Sequence, residues 1–488
     1  MEEQSAPSGE APKPAPKGRG LWIGIAVVVV IVVILLALVL GGFLGPGAER
    51  AQAIFFPSYP GAGDLIIPAW WQNRATWPAD WLYSEGLKVN DFFGRLRTAG
   101  VDVTTIEGTA PAAPLNPDYN ASSALFNTAY QAAYGTTPNV FDPHSYDATF
   151  VLAMAFQKSQ SLDTNSTAFK AALREVANPP GVAIRPGQWA EALENITNGA
   201  DIDYQGASGS VNFDSFGEVS SDYEAYGVNA NAQGFRKLFI PEGSWTSPPI
   251  STSALAVVGS APEPLQATPL KIGTLFDRTG ALQDFGWDME NATDLAASHV
   301  NTQGGITIGT TLYDIVLIHE DDGTDTTKTT NAATKLVNVD QVKAVVGATA
   351  SSMSIAAFGI TRPAGILQMS ASSTSAALSP STFDPTDQFW RTAPSDQLQG
   401  AAAAWYAFTQ RGWRTMSITY VDNAYGRGLA AVFEQEFEAR GGRILRSVPH
   451  SETPANIDAN SVLQTLFTPG AQASVPLVLR DAWRVEGR

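Results

Sequence analysis

The sequence predicts an α/β protein built on doubly wound parallel sheets, preceded by a transmembrane helix. Three observations lead there. From residue 270 onward, short wholly apolar runs alternate with amphipathic helical stretches, the pattern of buried parallel strands covered on both faces. Residues 52–250 begin in the same way before helices dominate. Ahead of both lies "LWIGIAVVVVIVVILLALVLGGF", residues 21–43, which carries no charge.

That apolar stretch is long enough for a bilayer core, which takes about 20 residues at 1.5 Å each. Lys13, Lys17 and Arg19 precede it, and no basic residue follows before Arg50. The positive-inside rule then puts residues 1–20, a Pro- and Ser-rich tail expected to be disordered, in the cytoplasm. Everything after residue 44 falls outside the cell, so the expected location is the cell membrane, crossed once. A cleaved signal peptide is the rival, because "AQA" at 51–53 resembles a cleavage site, although the apolar stretch exceeds a usual signal core.

The 488 residues suffice for two or three domains. Hydrophobic residues make up 44% and charged residues 16%, a globular composition. The net charge of -17 speaks against a nucleic-acid partner, whose phosphates require a basic surface. Cysteine is absent, which excludes disulfides, thiolate metal sites and a lipid-modified cysteine. No metalloprotease helix motif, phosphate-binding loop or nucleophile elbow occurs, so neither catalysis nor a cofactor is expected. "HEDD" at 319–322 looks like a metal cluster, but His319 and Asp321 share one strand face while Glu320 points away. No metal ligand is therefore assigned.

In order, the early part offers strands at "QAIFFPSY", "DWLYSEG" and "VTTIEGTA", with "NDFFGRLRTAG" a helix between the last two. Helices follow around 121–134, 145–158 and 166–177, and a hairpin-like "GSVNFDSFGEV" closes the part. Pro, Ser and Gly mark 241–269 as a linker. The late part offers strands at "LKIGTLF", "LYDIVLIHED", "VKAVVGAT", "GILQMSAS" and "TMSITYVD", with helices such as 284–301 and 425–439. Parallel sheets bind ligands beyond the carboxyl ends of their strands. The loops there, "FDRTG", "GATASS", "SASST" and "YVDNAYG", carry the hydroxyls, glycines and acids of a small-molecule site.

"GTLFDRTGALQDFGWDMENAT", "VNTQGGI", "HEDDGTD", "VVGATASSMSIA" and "YVDNAYGRGLA" occur in an order and spacing that resemble the N-terminal half of a type I periplasmic binding protein. The likeness is to the branched-chain amino acid receptors of ABC transporters. "FFPSYPGAGDLI", "WLYSEGLKVNDFF", "HSYDATFVLAMAF" and "ASGSVNFDSFGEV" resemble that family's C-terminal half. The halves stand in reversed order: 52–240 matches the C-terminal half and 270–475 the N-terminal half, with a tail at 476–488. The late half stops at a helix and turn that want a strand, and the early half starts with a strand that wants a helix. The resemblance therefore implies a two-lobed type I fold, circularly permuted, with 241–269 joining the old termini. The alternative is a truncated tandem array or a misjoined gene. One lobe is expected from about 270–393 and 109–225, the other from about 394–475, 52–108 and a return near 226–241. "VPLVL" in the tail could compete with 53–58 for one place in the sheet.

An amino acid ligand needs three kinds of partner. Its carboxylate wants hydroxyls and N–H groups at helix starts. By resemblance, Ser351, Ser373 and Thr374 match the family's carboxylate- and amine-binding loops, although Ser and Thr there also serve as helix caps. Its ammonium wants an acid, and Glu85 in "LYSEGL" matches that family position; the plain alternative is a solvated turn acid. Asp422 is a second candidate. Phe285, Tyr59 and Tyr425 match the aromatic lining, where rings either stack on a ligand or pack the lobe edge. Phe141 and His144 are weaker candidates. The resemblance implies an extracellular, membrane-anchored solute-binding protein that captures an amino acid, branched-chain or a related amide, and hands it to an ABC permease. A ligand-sensing ectodomain or a non-binding relic of two receptor fragments are the rivals.

Overall fold

The computed structural model describes residues 50–112, 117–230, 235–239, 267–379 and 382–468. The apolar stretch 21–43 and the tail 476–488 lie outside the described residues. Among the described residues no helix is long and apolar enough to cross a membrane.

Among the described residues fifteen strands are laid down in chain order: β1 (Ala53–Phe56), β2 (Asp80–Tyr83), β3 (Glu107–Pro111), β4 (Val182–Ile184), β5 (Ile202–Tyr204), β6 (Tyr223–Val228), β7 (Phe235–Phe239), β8 (Thr268–Phe276), β9 (Ile306–Ile308), β10 (Thr311–Asp321), β11 (Ala344–Gly347), β12 (Leu367–Ser370), β13 (Phe389–Arg391), β14 (Thr415–Val421) and β15 (Arg443–His450). A seven-stranded sheet has the order β15-β14-β1-β2-β3-β6-β7, a six-stranded sheet the order β13-β12-β11-β8-β10-β9, and β4 pairs with β5. Both large sheets are parallel except at one edge, where β6, β7 and β9 run antiparallel. No strand is expected by name at any of the three, although the return expected near 226–241 is where β6 and β7 join the seven-stranded sheet.

Strand β1 lies between partners from opposite ends of the chain. Ala53 pairs with Met416 of β14 on one side and with Asp80 of β2 on the other. Its four residues, AIFF, are all buried, as a central parallel strand requires. The ladder stops at Phe56 because Pro57 has no N–H to continue it. Phe55 stacks on Phe433 of the helix Ala424–Ala439, ring centroids 4.1 Å apart. The seven-stranded sheet is thus built from both halves of the sequence.

The six-stranded sheet is covered in the same shared way. Helix Asp142–Ser159 of the early half packs on helix Gln283–Thr302 of the late half. Tyr146 Oη lies 2.8 Å from His299 Nδ1, Trp189 Nε1 donates to Gly305 O at 3.0 Å, and Thr164 Oγ1 donates to Lys343 O at 2.9 Å. The expected lobe division at residues 109 and 225 cuts through β3 and β6, which pair with each other in the seven-stranded sheet. That pairing continues one step further, where Ala112 N donates to Asp222 O at 2.9 Å.

Local departures have local causes. "VTTIEGTA" opens with a 3-10 turn at Val103–Thr105, capped by Asp102, whose carboxylate accepts from Thr104 N. "DWLYSEG" leaves the sheet at Tyr83 and enters a 3-10 turn at Glu85–Leu87. "GSVNFDSFGEV" forms no hairpin strands. It makes a single bridge, Gln205 to Ser210, and then a turn in which Asp214 Oδ1 accepts from Phe216 N and Glu218 N. Gly217 takes a φ of 72° there, a value that favours glycine.

Candidate functional site

The carboxyl ends of both large sheets face one cavity. It is lined by Tyr59, Glu85, Gly86, Phe141, Leu282, Phe285, Thr349, Ala350, Ser351, Ser372 and Tyr425, and it holds about 300 Å³ of non-atom space, its mouth included. Five of the seven residues expected at the site line it: Tyr59, Glu85, Phe285, Ser351 and Tyr425.

The hydroxyl-rich side is built at the start of a helix. Strand β11 runs out at Gly347, and helix Ser351–Thr361 begins after three residues. Its first N–H groups have no intrahelical partner and carry the positive end of the helix dipole. Ser351 Oγ accepts from Ser375 N at 3.2 Å, and Ser372 Oγ donates to Thr349 O at 2.8 Å. Thr349 Oγ1 accepts from Asp277 N at 2.9 Å. Ser373 is turned inward: its hydroxyl lies 2.8 Å from Ser354 Oγ and 3.2 Å from Ala348 O. Neither Ser373 nor Thr374 lines the cavity; the Thr374 carbonyl accepts from Asp396 N at 2.8 Å. The loop is fastened from behind by Arg391, a fully buried residue the sequence did not mark. Arg391 Nη1 donates to the carbonyls of Ser373 and Ser375, and Nη2 to Glu218 and Ser379.

The acidic side comes from the other sheet. Glu85 follows β2 directly and is 1% exposed. Burial pushes its carboxyl up to about 7, against the bonds from Tyr425 and Gln399 that favour the charged form. Gln399 Nε2 donates to Glu85 Oε2 and, at 3.3 Å, to Thr109 O. Gly86 lets this turn close: a Cβ there would stand 2.6 Å from Ser58 O and 3.2 Å from Tyr425 Oη. Asp396, three residues before Gln399 on the same helix, is also fully buried. Burial, then the nearby Glu85, holds its carboxyl well above the usual range. Sequence reasoning missed Asp396 and Gln399, because an acid after a serine cap reads as an ordinary helix start.

Aromatic walls join the two sides. Tyr59 and Tyr425 stack with centroids 5.5 Å apart and planes 8° from parallel. Tyr425 Oη lies 2.8 Å from Ser84 Oγ, and Tyr59 Oη accepts from Asn423 Nδ2 at 3.0 Å. Opposite them, Phe141 packs on Phe285 at 5.8 Å. His144 lies away from the cavity lining; its Nδ1 is 2.8 Å from Thr392 O, and burial lowers its ring to about 4. Asp422 is exposed and pairs with Arg427 at 2.6 Å. His319, of the "HEDD" run, sits 2.7 Å from Thr274 Oγ1 and 3.3 Å from Asp294. The arrangement offers an anion-binding helix start, a buried acid and an aromatic sleeve between them.

A larger open groove, about 1010 Å³ with the solvent at its mouth included, lies at the amino ends of β1 and β2, among Trp70, Trp71 and Trp81. Its one acid, Asp80, pairs with Arg411 at 3.5 Å. Despite its size it has neither a helix start nor a buried acid, so the chemistry favours the smaller cleft.

Residues 269–479 match the family described as periplasmic binding protein, and residues 52–231 match the receptor family ligand binding region. Both models describe type I periplasmic-binding-protein domains, whose family members are solute-binding proteins and not enzymes. The Leu/Ile/Val-binding protein BraC3 of Rhizobium johnstonii is 28% identical over 210 residues, 43% of this chain and 54% of that protein. The leucine-, isoleucine-, valine-, threonine-, and alanine-binding protein of Pseudomonas aeruginosa is 27% identical over 221 residues, 45% of this chain and 56% of that protein. The chain spans about half the length of the curated relatives it matches. Among solved structures, the branched-chain amino acid transporter substrate binding protein LivJ of Streptococcus pneumoniae, in complex with isoleucine, is 25% identical. That superposition covers 38% of this chain and 50% of LivJ, with a TM-score of 0.34.

Proposed function

We propose that the protein is a membrane-anchored extracellular solute-binding protein that captures an amino acid, branched-chain or a related amide, and delivers it to an ABC permease. One observation carries the reading: Glu85 from the early half and Ser351 from the late half line the same cavity. A zwitterion fits that pairing, with its ammonium at the buried acid and its carboxylate at the helix start. The place of β1 between β14 and β2 supports a circularly permuted order of the two halves. The branched-chain amino acids in the relatives' names support the ligand class. Ser351 and Ser372 receive the carboxylate; Ser373 and Thr374 shape the loop behind it. Phe285, Tyr59 and Tyr425 enclose the side chain.

Thermal-shift screening of the full-length chain in detergent against the standard amino acids tests this. A binder at a hundred times its Kd adds about 2.7 kcal/mol of stability. Glu85→Gln is expected to remove that response while the unliganded protein still melts cooperatively; an unchanged response takes Glu85 out of the site. A sensory role for the same capture has one supporting observation. The chemotactic signal transduction substrate-binding protein BasB of Halobacterium salinarum is 29% identical over 198 residues. Co-purification with a permease rather than a transducer separates the two roles.

A further inference from the structure

Glu85 and Asp396 are two buried acids, neither of which forms a salt bridge with a cation among the described residues. Asp396 and Gln399 stand three residues apart on one helix, hence on one face, and Gln399 donates to Glu85. Both carboxyls are fully buried, and the Gln399 side chain that bonds Glu85 lies one helical turn from Asp396. Around Glu85 stand the Gln399 amide and the hydroxyls of Tyr425, Tyr59, Tyr223 and Tyr226. Lys88 is the cation near Tyr226, and it is bonded to Glu224 at 2.7 Å. Asp396 has the Thr374 hydroxyl beside it and, by charge, Arg391. The Arg391 guanidinium is already committed to Ser373, Ser375, Glu218 and Ser379. Gln399 Oε1 also lacks a donor among the described residues.

Two ionised carboxylates in one dry pocket are strongly disfavoured, so one of them keeps a proton. An entering ammonium reverses the balance by stabilising both negative charges. Resting on the amino acid reading above, we infer that the Glu85–Asp396 pair holds one proton in common and releases it to solvent when a ligand's ammonium arrives. The site therefore exchanges a proton for its cargo's cation. The ligand keeps its own ammonium protons, and the net charge of the pocket falls by one as the proton leaves and rises by one as the cation enters. Deaminated analogues, which bring no cation, cannot drive the exchange.

The test is calorimetry on the full-length chain at pH 7, with the standard amino acid that raises its melting temperature most. The titration is repeated in phosphate, imidazole and Tris, whose ionisation heats differ. The expected heat varies linearly with the buffer's ionisation enthalpy, with a slope of about one proton released. Around pH 7 and below, the affinity is expected to rise about tenfold for each unit of increasing pH, the linkage for one proton released. Asp396→Asn, of nearly the same shape, should cut the released fraction and move the rise in affinity to lower pH. Heats identical in every buffer overturn the exchange while leaving capture intact. An unchanged slope in Asp396→Asn overturns the pairing and leaves Glu85 alone. If that variant does not fold, the wild-type buffer series still decides. No heat with any amino acid overturns the capture reading instead.

Discussion

Glu85 is withdrawn from water in a turn that only glycine can close. Gly86 lies against the Ser58 carbonyl so tightly that an added methyl would sit 2.6 Å from it. Gly86→Ala must therefore push the turn outward and carry Glu85 away from Gln399. We expect ligand affinity to fall at least tenfold with about 1–3 kcal/mol of lost stability, the usual cost of overpacking. Chemical denaturation and a thermal-shift titration of the variant check both. On the opposite side, Arg391 fixes the serine loop through four bonds. Arg391→Met leaves Glu218 without its partner and the Ser373 carbonyl without its donor, while the Ser375 carbonyl keeps only the Leu378 N–H. The expected loss is about 3–5 kcal/mol, typical of a broken buried pair, read from the urea midpoint.

At the scale of elements, the short apolar runs were the legible part. "AIFF", "AVVG" and "TMSITYV" are strands because wholly buried strands need no alternation. The edge strands β6, β7 and β9 gave no comparable signal, since their pairing depends on which neighbour the fold supplies. The site was legible where a residue follows a strand: Glu85 after β2, Ser351 after β11, Tyr59 after β1. Asp396, Gln399 and Arg391 were not, because their importance lies in packing against loops from distant sequence. Leu282 and Thr349 escaped for the same reason. Strand β1 carries the structural claim at this scale. Phe55→Ala removes a ring with no exposure that stacks on Phe433, so about 3–5 kcal/mol should be lost. Because β1 joins β14 to β2, equilibrium unfolding should stay a single transition in this variant. Two separated transitions, followed by Trp fluorescence and far-UV circular dichroism, would mean that the halves fold apart.

For the whole molecule, buried acids and histidines pull stability in opposite directions with pH. Burial raises Glu85 to about 7, and burial with the neighbouring Asp277 raises Asp322 to about 8. These groups bind more protons folded than unfolded, so their contribution is present at low pH and is lost as pH rises through the folded values. Burial lowers His144 and His450 to about 4. Their unfolded forms bind more protons between about 4 and 6.5, so their contribution is regained as pH rises through that window and is flat above it. Between pH 6.5 and 8 the acids decide. The unliganded protein should lose stability on the order of 1–3 kcal/mol across that range. Denaturant titrations at a series of pH values check this, and a rise in stability would contradict it.

Both sheets draw strands or covering helices from both halves, and the cavity between them takes its acid from one half and its helix start from the other. The most direct test is a crystal structure of the full-length chain grown with its strongest amino acid stabiliser. The account predicts one ligand per chain, its ammonium about 3 Å from the Glu85 carboxylate and its carboxylate at the N–H groups beginning at Ser351. A ligand bound elsewhere, or Glu85 and Ser351 on bodies that do not share a cleft, would contradict it.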